Sequence, residues 1–66
     1  MNSLSKEKVE NSLRVKERAF RIEWGEDSCT AFDANGIAID DYMIEEEDGE
    51  IYYTPVSNPS VTLIVE

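Results

Sequence analysis

The spacing of hydrophobic residues along this 66-residue chain changes once, near residue 18. Before that point it is helical. Val9, Leu13 and Phe20 fall on one narrow stripe with Lys16 beside them, while Leu4 and Val15 fall elsewhere. Residues 4–18 are rich in good helix formers and contain no Gly or Pro. Ser3 or Ser5 can cap the start, and Glu10 with Arg14 makes an i, i+4 pair in the favourable order. A competing strand would begin near Leu13, because Leu13 and Val15 alternate, as do Phe20, Ile22 and Trp24. These two sets are out of phase, and Lys16-Glu17-Arg18 would have to supply a bulge, so the spacing predicts a helix through residue 18.

After residue 18 the period is two. Phe20, Ile22 and Trp24 alternate with Arg21 and Glu23, as a half-buried strand requires. Gly25-Glu26-Asp27-Ser28 reads as a turn and Cys29-Thr30-Ala31-Phe32 as the returning strand. Asp33-Ala34-Asn35-Gly36 is the strongest hairpin signal, since Asp bonds back to the turn backbone and Asn-Gly tolerates positive φ. The third strand runs from Ile37 to Ile44. Its alternation changes phase near Asp40-Asp41, which predicts a bulge or bend there. Asp48-Gly49 marks the next hairpin, between Glu45-Glu46-Glu47 and the strand Glu50 to Thr54. Residues 55–60 form a loop and residues 61–65 the last strand. The predicted fold class is α+β: an N-terminal helix packed on a five-stranded antiparallel meander, either an open twisted sheet or a small barrel. It forms a single domain over 1–66, with a basic helical segment at 1–18 and an acidic antiparallel sheet at 19–66. A domain of this size buries only about 60% of the surface its unfolded chain exposes, so its stability is expected to be marginal.

Charge divides the chain at nearly the same place. All six basic residues (Lys6, Lys8, Arg14, Lys16, Arg18 and Arg21) precede residue 22, and with three glutamates they leave residues 1–21 at +6 − 3 = +3. Residues 22–66 carry twelve carboxylates and no basic side chain, so that +3 − 12 gives the net −9. Solubility is served by interspersed charges, whereas segregated charge projects a field that selects partners. Seven of the twelve, Asp40, Asp41, Glu45, Glu46, Glu47, Asp48 and Glu50, crowd residues 40–50. Such a body is repelled by nucleic acid phosphate and by anionic lipid, which excludes direct nucleic acid binding and membrane association as expectations. The longest apolar run, Leu63-Ile64-Val65, is far too short to span a bilayer, and no early stretch resembles a signal peptide. A single cysteine fits a reducing compartment, so a cytoplasmic protein is expected.

The residues needed for catalysis are scarce. There is no histidine, and Cys29 has no second cysteine with which to build a thiol dyad or a zinc site. The three glycines stand alone at predicted turns, so no phosphate-binding loop exists. Asn58-Pro59-Ser60 is barred from glycosylation by its proline. Paired carboxylates could do acid–base work, but a small meander offers little concave surface to enclose a substrate. The expectation is a non-enzyme with no cofactor and no metal.

Three explanations of the acidic cluster compete. Calcium is the first, but Gly36 comes two positions too early after Asp33 for an EF-hand loop, and the Glu45–Glu50 hairpin does not converge its oxygens. A solvated edge that blunts aggregation is the second, and it leaves unexplained why 45 consecutive positions exclude every cation. The third is a docking face for a basic partner. On a strand, Glu45 and Glu47 project from one face about 6.6 Å apart and Glu46 with Asp48 from the other, a spacing like that of nucleic acid phosphates. Attraction of this kind raises the association rate, and aromatic anchors supply affinity. Tyr42, Tyr52 and Tyr53 are interleaved with the acids; adjacent Tyr52 and Tyr53 face opposite ways, so one belongs to the core. Trp24, in phase with Phe20 and Ile22, is expected in the core. The basic segment either packs on the sheet, with Lys6, Arg14 or Arg18 reaching its carboxylates, or contacts the acidic face of a second copy in a homodimer.

In size, acidity and single-domain organisation the chain is similar to phage- or plasmid-encoded inhibitors of restriction and CRISPR effectors, and equally to antitoxins and immunity proteins. The likeness is one of gross properties and rests on no motif. The sequence thus predicts a small binding protein that masks a basic surface of a nucleic-acid-binding protein or nuclease effector by electrostatic and steric occlusion. Asp40, Asp41, Glu45, Glu46, Glu47, Asp48 and Glu50 carry the field, and Tyr42 or Tyr52 anchors the contact. The alternative is a non-catalytic structural or regulatory subunit that assembles through its helix or strand edge, with the acids serving solubility.

Overall fold

The computed structural model describes residues 2–65; Met1 and Glu66, the latter one of the twelve carboxylates, lie outside the described residues. Its elements are helix α1 (Ser3–Lys16) and strands β1 (Arg21–Trp24), β2 (Ser28–Phe32), β3 (Ala38–Glu47), β4 (Glu50–Pro55) and β5 (Leu63–Ile64). The strands pair in sequence order, each antiparallel to the next, in a sheet that stays open, with β1 and β5 at its edges. This is the expected α+β arrangement in its open form, not a closed barrel. Among the described residues no helix is long and apolar enough to cross a membrane.

The helix starts and stops on local chemistry. Asn2 is the cap in place of the expected Ser3 or Ser5: its Oδ1 accepts from the Ser5 N–H at 2.8 Å. The helix ends two residues before the expected Arg18, because Arg18 itself turns left-handed at φ 58° and the N–H of Ala19 folds back onto the Leu13 carbonyl. That reversal removes Phe20 from the helical stripe. Phe20 is 67% exposed, and Val9 and Leu13 carry the buried face with the small residues Ser5 and Ser12.

Those side chains cover one face of the sheet, where Cys29, Ala31, Tyr42, Ile44, Ile51 and Tyr53 are buried and Ile22, Trp24, Leu63 and Val65 pack around them. Burying a Val or Leu side chain contributes about 1.5–3 kcal/mol, so this single layer carries most of the stability. Tyr42 and Tyr53 meet edge to face with centroids 5.5 Å apart.

The turns explain the register. Asp48 and Gly49, at φ 52° and 80°, make a two-residue loop of the kind that matches strand twist and set Glu47 opposite Glu50. At the earlier hairpin the Asp33 carboxylate accepts from the N–H groups of Asn35 and Ile37, and Gly36 takes φ 78°. The phase change in β3 is a register step between Ala31↔Asp40 and Phe32↔Ala38, which leaves Ile39 as the extra residue, one position before the expected site.

The cations of the helical segment do not neutralise the sheet through ion pairs; Arg21, in β1 itself, pairs with Glu23. Arg14 pairs with Glu10 on its own helix at 3.6 Å, and Lys6 lies 5.4 Å over the Trp24 ring. Lys16 donates to the Ile64 carbonyl at 3.1 Å. Among the described residues no helix cation pairs with a sheet carboxylate, which corrects the expectation for Lys6, Arg14 and Arg18.

Candidate functional site

A strand has two faces, and α1 covers only one of them. The other is an open face whose cross-strand rows follow from the register, because directly paired residues project to the same side. Arg21, Phe32 and Ala38 form the first row, and Glu23, Thr30 and Asp41 the second. Ser28, Met43 and Thr54 form the third, and Glu45, Tyr52 and Ile64 the fourth. Glu47 and Glu50 close the face at the hairpin. Rows of neighbouring strands lie about 4.8 Å apart and successive positions on one strand about 6.6 Å. Five carboxylates, Glu23, Asp41, Glu45, Glu47 and Glu50, thus share one surface with Met43, which is 50% exposed, and Tyr52.

Local contacts set the state of these groups. The Thr30 hydroxyl donates to Asp41, and the Tyr52 hydroxyl donates to Glu50 at 2.9 Å. That bond to a carboxylate, with the charges of Glu50 and Glu47 behind it, holds the Tyr52 phenol above its ordinary value. Glu47 directly opposite Glu50 is a like-charge pair, which costs stability. Arg21 pairs with Glu23 and lies 4.1 Å from the Phe32 ring, so the cationic corner of this face is confined to its β1 end.

The structure divides the predicted residues by side. Asp41, Glu45, Glu47, Glu50 and Tyr52 come together on the open face. Asp40 does not: it pairs opposite Ala31 on the helix-covered side, where its carboxylate accepts from the Ser57 hydroxyl and from the N–H groups of Ser57 and Asp41. Glu46 also turns to the helix side, with one oxygen 3.5 Å from Ser5 Oγ. Asp48 sits in the turn. Tyr42, 2% exposed, is a core residue and leaves the candidate contact set, because strand parity places it opposite Cys29 beneath α1. Sequence reasoning missed Glu23 and Met43. Both were recoverable: Glu23 alternates with the core residues Ile22 and Trp24, and Met43 lies between Tyr42 and Ile44.

Among the described residues no three potential metal ligands converge. A cavity of about 230 Å³ lies on the helix side, lined by Asn11, Ser12, Val15 and Lys16, and no acid of the candidate face lines it. No protein-family model, curated protein or solved structure matches the chain.

Proposed function

We propose that this is a non-enzymatic binding protein whose open sheet face covers a basic, nucleic-acid-binding surface of another protein, such as a nuclease effector, and excludes the nucleic acid from it. The observation that carries this reading is the gathering of five carboxylates on the face that α1 leaves uncovered, with Met43 and Tyr52 among them. Long-range attraction between that face and a Lys/Arg groove speeds encounter, and the two apolar side chains supply contact area once water is displaced. Glu46 and Asp48 add to the field from the hairpin without joining the contact. Asp40 is committed to the loop at Ser57 and serves the fold.

The test is capture from a nuclease-treated lysate of the source cells, followed by purification of what is retained. The expected result is a basic protein that elutes at raised salt and loses its nucleic acid when the acidic protein is added. A Glu45→Lys, Glu47→Lys double variant, folded by circular dichroism, captures it far less. Equal capture by that variant, or retention that is indifferent to salt, overturns the proposal.

A further inference from the structure

The two edges of the sheet are treated differently. At β5 the strand is two residues long, and the register leaves Ile64 pointing outward, since Val65 N–H bonds the Ile51 carbonyl and alternation assigns Leu63 inward. Lys16 then occupies the outward carbonyl of Ile64. Shortness and a lysine are two common ways in which an edge is made unavailable to another strand. β1 is twice as long, at four residues, and among the described residues no lysine bonds its outward backbone groups. Gly25 N–H bonds the Ser28 carbonyl at 2.8 Å, so alternation directs Arg21 and Glu23 toward β2 and turns the N–H and C=O of Ile22 and Trp24 outward. Among the described residues nothing pairs with that side.

The β1 edge is also complementary to itself. Phe20-Arg21-Ile22-Glu23-Trp24 reads aromatic, cation, aliphatic, anion, aromatic. Set antiparallel about Ile22, it places Arg21 opposite the second copy's Glu23, Glu23 opposite its Arg21, and each Trp24 opposite a Phe20. Arg21 and Glu23 already pair within one strand, so the two copies form a square in which every charge has two opposite neighbours. Ile22 meets Ile22 as a doubly hydrogen-bonded pair, while Phe20, which precedes β1 and spends its N–H on the Phe32 carbonyl at 2.8 Å, offers only its carbonyl to the second copy's Trp24 N–H. The edge also adjoins the only cationic part of the molecule, which lessens repulsion between two acidic bodies.

We infer that the partner of this edge is a second copy of the chain, paired β1 to β1 about a two-fold axis that runs between the two Ile22 residues, perpendicular to the sheet. The product is a continuous ten-stranded sheet, 5 + 5, with both helices on one side and both acidic faces on the other. This stands apart from the proposed masking function, and its test involves no other protein.

Sedimentation velocity over a concentration series checks it. The wild type is expected to form a dimer. Arg21→Glu and Glu23→Arg each set like charges opposite one another and weaken dimerisation about tenfold or more. Mixed in equal amounts, those two variants are complementary and recover the dimer. Amide hydrogen exchange on the wild type gives a readout that needs no variant: the Ile22 and Trp24 N–H groups gain protection as concentration rises. A wild type that stays monomeric, an assembly larger than a dimer, variants that dimerise like the wild type, a mixture that stays monomeric, or unchanged exchange at Ile22 and Trp24 each overturns the inference.

Discussion

Cys29, the second residue of β2, lies under the helix, 2% exposed, and its thiol is pushed up from 9.0 to about 12, first by burial and then by the charges of Glu10 and Asp41. A thiol so placed is a packing group and a poor nucleophile. Burial likewise raises the Tyr42 and Tyr53 phenols above their ordinary value of 10.0, with Glu17 adding to both. All three groups hold their protons more tightly when folded than when unfolded. Their stabilising effect is complete below pH 9, where the unfolded thiol is still protonated, and is lost as pH rises toward the folded values. Denaturant melts are therefore expected to show stability falling from about pH 9 upward, with a shallower fall in Cys29→Ala between pH 9 and 10. Thiol reagents should leave the native protein unlabelled at pH 8 and react once it unfolds. A native thiol that reacts rapidly at pH 8 would contradict this placement.

At the scale of elements, α1 stops because of Arg18. An arginine held at φ 58° bears a strain that glycine does not, while the reversal it makes is what delivers Ala19 to the core and starts β1. Arg18→Gly is expected to raise stability by about 0.5–1 kcal/mol, seen as a higher urea midpoint with no change in the slope of the transition. A loss of stability would instead assign the Arg18 side chain a structural contact. The hairpins were legible in the sequence because Asp33-Ala34-Asn35-Gly36 and Asp48-Gly49 carry their conformation in their own residues. The helix ends were not. Asn2 competes with Ser3 and Ser5 as a cap on equal local terms, and nothing in Arg18 announces a left-handed residue. The strand set by Val61 to Val65 shrank to Leu63–Ile64 because Val61 N–H is spent on the Asn58 carbonyl in a turn.

For the whole molecule, the segregation of charge along the chain becomes a segregation by layer. The basic segment forms the helix layer, and most of the acidic cluster decorates the sheet face turned away from it. The cluster itself was legible as seven carboxylates in eleven residues. Its division between two faces was not, because the bulge at Ile39 and the two-residue turn at Asp48-Gly49 decide which acids share a side. One pair separates the two purposes such a surface can serve. Glu47 and Glu50 stand directly opposite each other beside the turn, and like charges in that position cost about 0.2–1 kcal/mol. Solubility does not require that arrangement; a lysine at either place keeps the hairpin soluble and relieves the repulsion. Glu47→Lys is thus expected to raise stability by about 0.5 kcal/mol, seen as a higher urea midpoint at low salt. If the open face docks on a basic surface, the same substitution slows association with the captured partner, and added salt narrows both differences. A variant that grows more stable and binds more slowly marks carboxylates kept for their field at a cost to the fold. A variant that grows more stable and binds unchanged assigns those carboxylates to solubility.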